Sequence, residues 1–226
     1  SNVLERPKVI YNDKTGKFVM WLHVDSHDYA KAAAGVAICD TPNGDFEYLG
    51  SMRPNDAMSR DMTLFKDDDG TAYHIYSSEE NLTLHIAELT DDFLDHTGKY
   101  TRLAPAGHNE APAIFKKGGV YWMITSGCTG WDPNEARLFS SSSIWGPWKQ
   151  YPNPAKGKKA KTTFDSQSTY IQPIHGKENA FLFMGDRWRP RNPIDGRYVW
   201  LPIQFDDKGV PFLEWLDEWD ITFFDK

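Results

Sequence analysis

Long apolar runs are missing from this chain. Nowhere in its 226 residues is there an unbroken apolar stretch of the ~20 positions a membrane-spanning helix needs, so insertion of such a helix is excluded. No signal peptide stands at its start. Cysteine is scarce: Cys39 and Cys128 are too few for a disulfide framework, and each lies in or near an apolar run, where a buried free thiol is expected. Positive charge is in the minority, with 25 Lys and Arg against 32 Asp and Glu. The net charge of −7 speaks against nucleic acid as a partner. The one basic run, Lys156 to Lys161 (KGKKAK), reads as a solvated loop between strands. Missing as well is any amphipathic stretch at helical spacing longer than about ten residues.

What is present points to strands. A hydrophobic content of 40% supports a core for one large domain or two small ones. Aromatics reach 14%, with nine Trp, a surplus that suits either aromatic-rich sheets or a surface of flat rings for sugars. Four segments share one pattern of polar residue, short apolar strand, turn and strongly apolar strand. They run from Glu5 to Val24, Asp61 to Tyr76, Glu110 to Thr125 and Gln167 to Met184. Their starts recur roughly every 50 residues, the length of a four-stranded propeller blade. Lys14-Thr15-Gly16, Asp69-Gly70, Gly118-Gly119 and His175-Gly176 fall where each hairpin must reverse. Two more strand-like runs follow each segment, the last pair being Arg197 to Phe205 and a tail around Phe212 to Trp219. The expectation is an all-β protein of repeated four-strand units. A two-sheet sandwich would not explain a repeat of this length.

Aligned on their strands, the units place Glu5, Glu110 and Gln167 at one position, the start of the first strand, with Asp61 one residue later. The first strand of a propeller blade is innermost, so these side chains would converge on a central channel. Three carboxylates meeting at one point with an amide are electrostatically costly, because like charges raise one another's pKa values, a cost accepted at sites. A single polar residue at a strand start is an ordinary turn residue. Four in equivalent places favour a site.

The same residues carry sequence patterns. Asp61 opens D-x-x-x-F-x-D-D-D-G-x-x-Y, through Phe65, Asp67-Asp68-Asp69-Gly70 and Tyr73, and Glu110 opens Glu110-Ala111-Pro112-Ala113-Ile114. Both resemble glycoside hydrolase family 43, over essentially the whole chain. Glu5-Arg6-Pro7-Lys8-Val9, Ser59-Arg60-Asp61-Met62, Thr125 to Trp131 (TSGCTGW), Asp165-Ser166-Gln167-Ser168 and Met184-Gly185-Asp186-Arg187-Trp188 resemble its exo-β-1,3-galactanase branch. The resemblance implies a five-bladed β-propeller in which residues 1–226 form a single catalytic domain. Four blades and a C-terminal tail are counted here, so the N-terminal blade is expected to be missing and an upstream segment or partner to complete the ring.

The activity it implies is inverting, exo-acting hydrolysis of β-1,3-linked galactan, as in arabinogalactan-type polysaccharides. Glu110 would be the general acid and Asp61 would orient it and tune its pKa. Most of the family takes its base from an Asp on the first blade. In the galactanase branch a Gln at the position of Gln167 holds the water instead. Glu5 is the alternative base by charge, although the resemblance assigns it to sugar hydroxyls. Tyr29, Asn81, Thr129 and Trp131 would line the terminal-sugar subsite, with Asp186 and Trp188 from the last segment. Trp188 sits among polar neighbours and reads as partly exposed, whereas Trp122 and Trp200, within strands, read as core.

Other motifs point less far. Asp67-Asp68-Asp69-Gly70 lacks the alternating ligands and distal Glu of an EF-hand and reads as a hairpin turn. His23 and His27 lack a third ligand at zinc-like spacing and read as loop residues. Asn81-Leu82-Thr83 is a formal glycosylation sequon. No cofactor is required by this chemistry and no metal site is assigned, a structural calcium staying open. The partner is a polysaccharide or oligosaccharide, and the resemblance implies a secreted or periplasmic protein. An arabinofuranosidase, a β-xylosidase or a noncatalytic sugar-binding propeller are the other readings.

Overall fold

A computed structural model of the protein describes residues 3–225. It is all-β: strands and 3-10 turns of three or four residues, with no α-helix among the described residues. Close contacts divide the chain into two compact units, Ser1–Glu110 and Ala111–Lys226.

In the first unit, β1 (Val3–Asn12), β2 (Lys17–Asp25), β3 (Ala33–Cys39) and β4 (Glu47–Met52) form a sheet in chain order. β5 (Met62–Lys66), β6 (Ala72–Ser78), β7 (Thr83–Leu89) and β8 (His96–Leu103) form another. Both are antiparallel meanders, and the first strand of each is an edge strand. Trp21, Val19, Met62, Leu64 and Tyr76 make the core, and the buried Trp21 indole donates to the Phe93 carbonyl at 2.8 Å. In the β5–β6 turn, Asp67 and Asp69 accept from the backbone N–H groups of Asp68 and Thr71, and Gly70 adopts φ +87°. The acids serve the hairpin, as the sequence suggests, because an L residue rarely adopts that φ.

In the second, β9 (Glu110–Lys117), β10 (Val120–Ser126), β11 (Arg137–Ser141) and β12 (Lys149–Tyr151) repeat the four-stranded meander. β13 (Ala155–Lys156) follows, then β14 (Gln167–Pro173), β15 (Phe181–Arg187) and β16 (Arg197–Pro202), β17 (Gln204–Phe205) and β18 (Pro211–Glu214). β14, β15 and β16 make a sheet of three strands, not four. The run Arg197 to Phe205 divides after Pro202, although Ile203 still donates to the Phe181 carbonyl at 2.9 Å. β17 and β18 instead join β13 in a separate sheet, with β13 and β18 parallel. The core here is Phe115, Ile124, Leu138, Phe164, Phe183, Leu201 and Leu213.

Four local expectations change. Trp122 is buried, but Trp200 is 51% exposed, because strand alternation turns its neighbours Val199 and Leu201 inward. His23 is no loop residue: it lies on β2 and is 1% exposed. Cys39 and Cys128 are free thiols but only half-buried. Lys156 of the basic run belongs to β13.

His74, His85 and His96 lie inside the first unit against Trp21 or Tyr76. His74 is fully buried and its Nδ1 lies 3.1 Å from Nε2 of His96. Burial holds both imidazoles neutral, with His74 well below the ordinary value and His96 lowered to about 4. In the unfolded chain His96 takes a proton near pH 6.5, whereas the folded chain resists until about pH 4. Its contribution is therefore complete above pH 6.5 and lost as pH falls towards 4, on the order of 3 kcal/mol from this one group. Thermal melts of the protein and of His96→Asn between those pH values test this. The slope of Tm against pH should flatten in the variant, and parallel slopes would remove His96 as the cause.

Candidate functional site

The starts of β1, β5, β9 and β14 carry the acids and the amide singled out in the sequence. The backbone bends at three of them. The register of β1 against β2 shifts between Glu5 and Lys8, and Arg6 adopts φ +54°. On β9 the residue after Glu110, Ala111, has φ +51°. The register of β14 against β15 shifts between Ser168 and Tyr170. Such irregularities re-aim the side chain beside them. Pro7 and Pro112 follow two of the bends on edge strands, where a missing N–H costs little.

In the first unit, Glu5, His23 and Asp61 come together. Tyr29 Oη donates to Glu5 Oε1 at 2.8 Å, and His23 Nδ1 lies 3.1 Å from Glu5 Oε2. Arg6 Nε donates to Asp61 Oδ1 at 3.1 Å, with the Arg6 side chain 3% exposed. Burial, then the hydrogen bond to Glu5, pushes the Tyr29 hydroxyl up, so it stays a donor. The donor atoms of Glu5, His23 and Asp61 lie within 4.8 Å of one another, a spacing that would admit a cation. Arg6 already supplies positive charge at Asp61, and His23 stands between Glu5 and the Oδ2 of Asp25. The cluster is an ion-pair network.

Asn81 Nδ2 donates to Glu110 Oε1 at 2.8 Å. Asn81 ends a run of three non-glycine residues in the left-handed region, Glu79, Glu80 and Asn81, at φ 54°, 56° and 62°. That conformation persists only when the surroundings over-determine it. Glu79 is the clamp: Arg102 reaches both its oxygens at 2.7 and 2.5 Å, His85 lies at 2.9 Å and Thr83 donates at 2.9 Å. The Arg102 hydrogen bonds, with those of His85 and Thr83, lower the Glu79 carboxyl to about 2.

In the second unit, Gln167 is held by its amide from both ends. Trp188 Nε1 donates to its Oε1 at 3.1 Å, and its Nε2 donates to Ser126 Oγ at 2.8 Å. Trp188 and Trp131 are 37% and 49% exposed and meet edge to face at 5.2 Å. Both line a cleft of about 370 Å³ with Gln167, Asp186, Asn134 and Arg187. Asp186 faces Gln167 across the β14–β15 ladder. Thr129 is placed otherwise: its hydroxyl donates to the Asp132 carbonyl and accepts from Asn134, bracing the loop that carries Trp131.

Arg6, His23, Asp25, Ser126 and Glu79 were not singled out as site residues in the sequence. For His23 and Asp25 a signal existed: Trp21-Leu22-His23-Val24-Asp25 puts two ionisable groups in a buried strand, where each must find a partner.

An all-β repeat with carboxylates at the strand starts of one unit and, in the other, an amide beside exposed indoles has the makings of a sugar-processing protein. Residues 7–211 match glycosyl hydrolases family 43, and the chain belongs to that family. It is 52% identical to a solved family-43 β-1,3-galactosidase with galactodeoxynojirimycin. The TM-score is 0.95, over 97% of this chain and 77% of that one. It is 39% identical to an exo-β-1,3-galactanase of Phanerochaete chrysosporium solved with β-1,3-galactotriose. There the TM-score is 0.87, over 94% of this chain and 49% of that one. A β-D-galactofuranosidase of Aspergillus niger is 28% identical over 149 residues, 62% of this chain. The chain spans 43% of the length of that curated relative.

Proposed function

We propose that this chain is the catalytic part of an exo-acting, inverting glycosidase that releases galactose from the end of β-1,3-linked galactan of the arabinogalactan type. The observation that carries the reading is the side chain at the start of β14. Where the other repeats offer carboxylates, Gln167 is an amide, held by Trp188 and Ser126 beside two exposed indoles. An amide forms no stable ester with an anomeric carbon, which favours direct attack by a held water over a covalent intermediate. Similarity to proteins named β-1,3-galactosidase and exo-β-1,3-galactanase supports galactan as the substrate.

In this reading Glu110, steadied by Asn81, protonates the leaving oxygen. Asp61, tied to Arg6, helps orient the acid. Glu5, held by the Tyr29 hydroxyl, accepts from hydroxyls of the terminal sugar, and Tyr29 lines the same subsite. The indoles of Trp131 and Trp188 cover its apolar face, with Asp186 and Thr129 in support. No cofactor takes part. The four-strand repeats are blades of the five-bladed propeller that the family resemblance implies, in one catalytic domain over residues 1–226. A polymeric substrate suits a secreted or periplasmic enzyme. Among the described residues no helix is long and apolar enough to cross a membrane.

Proton NMR of fresh product from a β-1,3-linked galactose oligomer tests the mechanism. The α-anomer should appear first and then equilibrate. The β-anomer first would require a covalent nucleophile, with Glu5 the suspect. The galactofuranosidase relative favours one further assay, on arabinofuranosides, galactofuranosides and xylosides, all of which should be released more slowly than β-1,3-linked galactose.

A further inference from the structure

Behind Glu5 lies a buried line of polar groups that the proposed reaction does not use directly. His23 Nδ1 faces Glu5 Oε2 at 3.1 Å, and His23 Nε2 faces Asp25 Oδ2 at 2.7 Å. His23 is 1% exposed and Asp25 is fully buried. Asp25 is anchored in turn, its Oδ1 accepting from the backbone N–H groups of Ser26 and Ala32, each at 2.9 Å. An ionised carboxylate only accepts hydrogen bonds, so a ring placed between two of them satisfies both only with a proton on each nitrogen.

We infer that Asp25 and His23 are positioning residues that hold Glu5 as an immobile double acceptor for two hydroxyls of the terminal sugar. The inference rests on the reading of Glu5 as a sugar-binding residue. Each Glu5 oxygen has one protein donor, Tyr29 on Oε1 and His23 on Oε2, and keeps a lone pair for a ligand. The Glu5 side chain is 19% exposed, so its outer edge is open. A free glutamate would lose rotamer entropy on gripping a sugar, and the relay removes that loss in advance.

The charges facing His23 agree with this. They are Glu5 on β1, Asp25 on its own strand and Asp61 ahead of β5, with Tyr29 6.0 Å away and Arg6 already paired to Asp61. Burial works against a charged His23, but the hydrogen bonds to Glu5 and Asp25 and the nearby Asp61 outweigh it and raise the imidazole above its ordinary value. Burial likewise works against an ionised Asp25. The N–H of Ala32 and the bond to His23 outweigh that and lower its carboxyl.

Two measurements on the whole chain decide the matter. In long-range ¹H–¹⁵N NMR, the His23 ring, assigned by its loss in His23→Gln, should be protonated on both nitrogens above the range where a free histidine titrates. Asp25→Asn should return it to that range. A neutral His23 ring at pH 7 in the unaltered protein overturns the inference. In kinetics with a β-1,3-linked galactose oligomer, Asp25→Asn and His23→Gln should raise KM about tenfold or more, since a hydrogen bond to a charged group is lost, with kcat nearly kept. A fall in kcat at constant KM overturns it as well. If Asp25→Asn fails to fold, the double variant His23→Gln/Asp25→Asn replaces it. Gln can donate to Glu5 and accept from Asn, so this neutral relay should restore folding and bring KM back towards the original. A KM no better than that of His23→Gln alone, with the fold restored, counts against the relay. If the unaltered protein cleaves no galactoside, the functional reading fails, and the NMR still decides the protonation of His23.

Discussion

Glu110→Gln should lower turnover of a β-1,3-linked galactose oligomer by ~10²–10⁴-fold, the range for losing a general acid. The variant keeps the volume of the side chain and an oxygen for Asn81, which donates to Glu110 at 2.8 Å, so the fold should survive. What it loses is the proton for the leaving oxygen. The loss should therefore depend on the leaving group. A galactoside of an acidic phenol departs without protonation and should be cleaved at a rate much closer to that of the unaltered protein. A sugar leaving group should not. Equal losses on both substrates would point to damaged binding or folding. Near-normal activity on the oligomer would remove Glu110 from the role.

Gln167→Ala should cost on the order of 10²-fold in kcat, because the water it holds would have to find the attack geometry unaided. Its amide is fixed by Trp188 on the oxygen and Ser126 on the other end, so orientation is the property at stake. Trp188→Phe keeps a ring in the cleft but removes the N–H that sets the amide, and should give a smaller loss in the same parameter. Glu5→Gln supplies the contrast: as a sugar-binding residue it should act mainly on KM. If Glu5→Gln instead abolishes kcat while Gln167→Ala barely changes it, Glu5 is the base, and the amide serves only to bind.

Most of the sheet framework could be read from residue order. Apolar runs of strand length, with Gly16, Gly70, Gly119 and Gly176 at their reversals, placed the hairpins. All four glycines adopt positive φ. The last repeat was read less well. β16 ends at Pro202, and a two-residue strand then pairs with the tail strand β18, which itself runs parallel to β13, a pairing that no local pattern announces. Trp200 was misplaced because its side of the strand depends on register, and a one-residue difference turns a ring from core to solvent.

The candidate site divides in the same way. The sequence alone determined which acids stand at equivalent strand starts, because a repeat shows itself as spacing, and spacing is preserved in one dimension. It determined also that Trp188 would be exposed, from its polar neighbours. The tertiary structure decided everything that depends on which strand lies beside which. Arg6 meets Asp61 55 positions away, and Asn81 meets Glu110 29 positions away. His23 enters the site because β2 is hydrogen-bonded to β1 opposite Glu5. The bends at Arg6 and Ala111 carry no glycine to announce them. Their left-handed backbone is unfavourable in isolation and is held by the pairing of the strands around it, so it exists only once the sheet has formed.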